Sequence, residues 1–161
     1  GAIWKMKEIY NQLNPNVRLN VKLFDQNKCI EYLENSDMDF QIITFLIYKK
    51  GIETQYFFRK QLYLSVFEDH IFYKKEQILF SDLMGQTLLL ITELGVWQEL
   101  IDSLKQIHFI IQDGDTFDSL IEMFQLRAFT PNISQQYKMI NKRKHTPIMD
   151  DNSSKDYFFS T

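Results

Sequence analysis

Apolar residues recur at helical spacing at Ile3, Met6, Ile9, Tyr10 and Leu13, which predicts an amphipathic helix over residues 2–13. Asn14-Pro15-Asn16 ends it, because proline lacks an amide donor and the residue before it avoids helical angles. From Val17 to Phe24 the period changes: "VRLNVKLF" alternates apolar and polar positions, as a strand does. Asp25 is placed to cap a second short helix whose inner face holds Cys29, Ile30 and Leu33. The β-branched run "MDFQIITFLI" then predicts a buried strand. Helix, strand, helix, strand in that order implies a right-handed parallel crossover and an α/β sheet.

The middle of the chain repeats this logic. Residues 54–67, "TQYFFRKQLYLSVF", are long for one strand and predict two extended pieces, or one bent at Arg59-Lys60. "QTLLLI" is a buried strand ending at Thr92, after which Glu93-Leu94-Gly95 turns into a helix carrying Val96, Trp97, Leu100, Ile101 and Leu104. "HFIIQ" is a further strand, and Asp113-Gly114-Asp115 turns into a helix from Thr116 to about Phe124. "RAFTP" gives one more short strand, with "TPIMD" and "DYFFS" closing the chain. The two middle crossovers predict a second α/β lobe, so residues 1–47 form the first lobe and 48–161 the second, returning toward the first near 155–161.

Composition narrows the classes. Hydrophobic residues are 45% of the 161, with 14 Phe and 8 Tyr, ample for a packed core and far from a disordered composition. The formal net charge of -3 provides no global positive field to draw the chain to nucleic acid. Cys29 stands alone, which excludes an internal disulfide and fits a reducing compartment. No apolar run approaches the roughly 18 residues that a membrane span needs. No secretory leader opens the chain, so a cytoplasmic location is expected. His70, His108, His145 and Cys29 lack metal-ligand spacing, so no metal is expected. No nucleotide-binding glycine motif occurs, and no Ser/His/Asp set can be nominated, so no catalytic residue and no cofactor are expected. The run "NKRKH", 141–145, is a short basic loop in an acidic chain and is expected to be solvated; Asn132-Ile133-Ser134 spells a glycosylation sequon.

One stretch carries a more specific signal. "LYLSVFEDHIFYKKEQILFSDLMGQTLLLI", 62–91, places Glu68, Asp69 and His70 directly after a strand, then Lys74, Lys75 and Glu76, a short turn from Ser81 and another strand. Asp82 can accept amide hydrogen bonds at the turn's start, and Gly85 can take the left-handed angles that stop it. His70 is expected to cap or pack its loop, and Lys74 and Lys75 to face solvent. This order of a strand ending in an acid-His pair, a lysine-containing gap and a D-L-x-G turn resembles the effector-binding domain of LysR-type transcriptional regulators. That family's pattern runs roughly "L-x-L-V-x-x-x-D-H-P-L-A … I-x-x-x-D-L-x-G-x-x-x-I", matched here by Leu62, Leu64, Val66, Asp69, His70, Ile78, Asp82, Leu83, Gly85 and Leu89 to Ile91. Upstream, "NPNVRLNV" and "SDMDFQII" resemble the family's "YPxVxLxV" and "G-x-L-D-L-A-I". Ile71 stands where the family has proline, and Met123-Phe124-Gln125-Leu126 replace its glycine-rich "V-x-x-G-x-G".

The resemblance implies a type 2 periplasmic-binding-protein-like fold, two lobes each with a mixed sheet flanked by helices and a ligand in the cleft between them. The family's first strand and the last helix of its first lobe have no counterpart here, which reads as truncation at both ends. No winged helix-turn-helix sequence is present either, so DNA contact is expected only through such a domain, absent from this chain. Ligands of open α/β lobes bind at strand carboxyl ends, where helix amino termini expose amides. Three places qualify: Thr44-Phe45, Thr92 to Gly95 including Glu93, and Gln112 to Thr116, with Thr130 and Pro131 as the cleft's far wall. The first two match effector-contacting loops of the resembled family; equally, threonines at strand ends serve as plain caps. A small anionic effector is expected, with a homodimer or higher oligomer pairing residues 2–13 of one subunit with 96–106 of another, Trp4 and Trp97 included. The alternatives are a stand-alone solute-binding module of the same fold and a small α/β enzyme, which would need titratable groups converging on the cleft.

Overall fold

The computed structural model describes residues 2–35, 37–92, 95–124, 126–131 and 143–161, and for residues 2–6, 26, 122 and 131 the backbone alone. They fall into two compact units, Gly1–Phe57 with Tyr157–Thr161, and Phe58–Asp156.

In the first unit, helix α1 spans Ala2–Leu13 and stops at the proline turn, where the Asn14 amide and side chain both donate to the Tyr10 carbonyl. Helix α2, Gln26–Glu34, begins at Asp25, whose Oδ1 accepts from the Lys28 amide at 3.0 Å. Its inner face is the one the spacing predicts, with Leu33 buried and Cys29 and Ile30 half-buried. Two expectations fail. Residues 17–24 form no strand, although their alternation survives as half-buried Leu19 and Val21 between exposed Arg18, Asn20 and Lys22. Alternation makes a segment fit to be a strand, but a ladder also needs a neighbour, and no described strand pairs with this one. The crossover expected from it is therefore not formed. The predicted strand in "MDFQIITFLI" shrinks to β1, Gln41–Ile43, because the chain bends at Thr44-Phe45. β1 pairs antiparallel with β7, Ser154–Ser160, through Gln41↔Ser160 to Ile43↔Phe158.

The second unit is a mixed sheet with helices on it. Strand β2 runs unbroken through Thr54–Phe67 instead of splitting at Arg59-Lys60. Arg59 pairs with Asp156 through two hydrogen bonds of 2.6 and 2.9 Å, which ties β2 to β7 at the point where a bend was expected. β3 (Thr87–Ile91), β4 (His108–Gln112) and β5 (Ala128–Pro131) follow, and β4, β3, β5 and β2 lie side by side in that order. β3 is parallel to β4 and β5, while β2 is antiparallel to β5. β6, Arg143–Pro147, pairs antiparallel with β2. The crossovers between the parallel strands are α3, Gln98–Ser103, entered through a tight turn at Gly95–Trp97, and α4, Gly114–Phe124.

Side chains alternate across a strand, so β2 sorts its residues to two faces. Leu62, Leu64 and Val66 enter the larger core with Ile78, Leu83, Leu88, Leu90, Trp97, Leu100, Ile101, Phe129 and Ile148. The opposite face carries a smaller cluster of Leu89, Ala128, Phe117 and Ile121, with α4 as its lid. The loop after β2 behaves as its sequence suggests. His70 Nδ1 accepts from the Phe72 amide at 3.2 Å, Asp82 accepts from the Leu79 amide at 3.0 Å and from Lys75 at 3.1 Å, and Gly85 has φ of 74°.

Candidate functional site

Parallel strands end at the same edge of a sheet, and that is what brings the candidate residues of the second unit together. The β3/β4 register runs from Thr87↔His108 to Ile91↔Gln112, and the Thr92 amide extends it by donating to the Gln112 carbonyl at 2.9 Å. Thr92 therefore lies beside the start of α4, with its side chain exposed. Gly95 opens the next turn at φ of 54°, a left-handed conformation that disfavours any larger residue there. A Cβ built on Gly114 would lie 3.8 Å from Ile91 Cδ1, so the first turn of α4 packs directly against the end of β3.

Asp113 holds that turn. Its Oδ1 accepts from the Thr116 amide and its Oδ2 from the Thr116 hydroxyl, both at 3.0 Å. Those hydrogen bonds, the amide's first, hold the Asp113 carboxyl below its ordinary value. Thr116, expected as a ligand contact, is thus engaged by a cap, and the helix end already faces a carboxylate.

Thr130 is buried in β5 opposite Tyr63, and its Oγ1 lies 3.3 Å from His145 Nδ1. It belongs to a polar row on the α4 side of the sheet. Arg143 completes the row: Nε donates to Ser65 Oγ at 2.7 Å, Nη2 donates to the carbonyls of Ser65 at 2.8 Å and Leu126 at 2.5 Å, and the guanidinium lies 4.4 Å from the Phe67 ring. Burial pushes its pKa down to about 10. The basic run 141–145 is therefore no solvated loop where it is described; its residues from Arg143 on form β6, with Arg143 and His145 turned to the α4 side and Lys144 paired with Glu76 at 2.8 Å. Sequence reasoning missed Arg143 and His145 by reading the charges together, where the period of two in "RKHTP" separates them.

Thr44 is exposed and Phe45 half-buried in the bend after β1, in the first unit. Glu93 and the sequon at 132–134 lie outside the described residues. Trp97, expected at a subunit interface, is 4% exposed and fills the larger core instead. Among the described residues no group of three or more His, Cys, Asp or Glu could hold a metal ion, and no helix is long and apolar enough to cross a membrane. A hollow of about 230 Å³ lined by Phe80, Met84, Leu104 and Ile107 opens beside the amino ends of β3 and β4, at the far end of those strands from Thr92.

Comparison with known proteins places this geometry. The family model for the LysR substrate binding domain matches residues 8–128. A comparison with curated protein sequences finds no match. Among solved structures, the BenM effector binding domain with its effector benzoate is similar with a TM-score of 0.62 and 14% identity, covering 100% of this chain and 77% of that one. The regulatory domain of MetR, a LysR family regulator from N. meningitidis, has a TM-score of 0.62 and 17% identity over 98% of this chain and 77% of that one. Full-length BenM is similar with a TM-score of 0.63 and 14% identity, and this chain spans 56% of its length. The mixed sheet and its helices thus have the type 2 periplasmic-binding-protein fold of LysR effector domains, and the chain belongs to the LysR substrate-binding domain family.

Proposed function

We propose that this chain is the ligand-sensing domain of a LysR-type transcriptional regulator and binds a small carboxylate. The single observation that carries the reading is the family match over residues 8–128; the benzoate of the similar BenM domain supports the ligand class. In this reading the two compact units correspond to the two lobes of the domain. The second unit holds the effector at the carboxyl ends of β3 and β4, with the Thr92 hydroxyl and the backbone at Gly95 as donors and Thr130 in the sheet beneath. The regulator works in the cytoplasm, and DNA is read by another domain of the full-length protein.

Asp113 sets the terms of binding at this edge. Its carboxylate takes the place at the α4 amino terminus that an anionic ligand would take, so the effector is held nearer Thr92 than Thr116. A hydrogen bond to a charged group contributes roughly 1.5–3 kcal/mol net. Thr92→Val keeps the shape and removes the hydroxyl, and is expected to weaken carboxylate binding about tenfold in calorimetric titrations with a panel that includes benzoate. Asp113→Asn keeps a competent cap while removing the repelling charge, and is expected to strengthen binding several-fold. Unchanged affinity in both variants would remove this edge from the site.

We assign self-association to the same domain. Exposed Ile9, Tyr10 and Leu13 on α1, and exposed Val96 at the start of the 96–106 segment, support pairing of these two surfaces between copies. Sedimentation velocity at tens of micromolar should show a dimer that Leu13→Glu dissociates; a monomer in the unaltered chain would overturn the assignment.

A further inference from the structure

We draw no further inference here: the strongest candidate, the open hollow beside the amino ends of β3 and β4 whose lining mixes Phe80, Met84, Leu104 and Ile107 with exposed Ser81, Ser103, Lys105 and Gln106, has no buried polar side chain in its lining and nothing in the structure shows what covers it.

Discussion

The two units of this chain differ in how they keep apolar residues from water. Among the described residues, the buried apolar side chains of the first unit are Leu33 and Ile43, whereas Leu23, Leu13 and Tyr48 are 79%, 75% and 88% exposed. The second unit buries Leu64, Val66, Leu83, Leu88 and Ile148 completely and adds a second cluster beneath α4. The sheets account for the contrast. In the second unit β2 has β5 and β6 as partners, and both faces of the sheet are covered. In the first, β1 is three residues long and the alternating segment 17–24 joins no ladder. Burial of apolar area at about 25 cal/mol per Å² is the dominant favourable term in folding, so among the described residues most of the stabilising burial lies in the second unit. The candidate edge at Thr92 and Gly95 is thus built on the better-packed scaffold, where preorganised donors cost least to hold in place.

Substitutions should reproduce that contrast. Leu64→Ala, in the larger core, is expected to cost about 2–5 kcal/mol, whereas Leu23→Ala, on the unpaired segment, should stay within about 0.5 kcal/mol. Urea unfolding followed by circular dichroism would measure both, and equal losses would break the comparison.

A smaller loss is expected at Arg143. Its fork joins β6, the Ser65 position of β2 and the carbonyl at Leu126. Arg143→Lys keeps a charge but cannot span three acceptors, so it should cost about 1–3 kcal/mol, nearly as much as Arg143→Ala. A lysine variant as stable as the original would show that charge alone, and not the fork, matters there.

The pH dependence of the second unit sharpens the comparison least. Burial first, and then the Arg127 guanidinium, lower the His70 pKa, against an opposing pull from Asp69. The folded value therefore lies below the unfolded value of about 6.5, and the unfolded chain takes up the proton first. His70's contribution is intact above about pH 6.5 and is lost as pH falls through the folded value. Protonation also removes the Nδ1 acceptor used by the Phe72 amide. Urea midpoints measured between pH 8 and 5 should fall more steeply for the original chain than for His70→Gln; parallel slopes would exclude the effect.

The same contrast explains what could be read from the sequence. "QTLLLI", "HFIIQ" and the α4 segment carry their own period and turn residues, so β3, β4, α4 and the edge at Thr92 were legible. Gly85 and Asp82 were legible too, because a left-handed stop and a side-chain cap are local chemistry. Residues 17–24 were misread because alternation specifies a face but supplies no partner strand. Whether residues 54–67 make one strand or two was not legible at Arg59-Lys60, because Asp156, which pairs with Arg59 in the single strand, is distant in sequence. Arg143 and His145 were hidden inside a basic run for the same reason: the acceptors and ring that justify burying a guanidinium come from β2 and from Leu126, just before β5. The cap that Asp113 makes was foreseeable as a turn, but its competition with an anionic ligand required the geometry of Thr116.

Backbone amide chemical-shift mapping during titration with small carboxylates tests the central claim most directly. The account predicts saturable shifts largest at Thr92, Gly95 and the first turn of α4, with Asp113→Asn moving the same amides at lower ligand concentration. Shifts centred on the hollow at Phe80 and Ile107, or no saturable shift with any carboxylate, would contradict it.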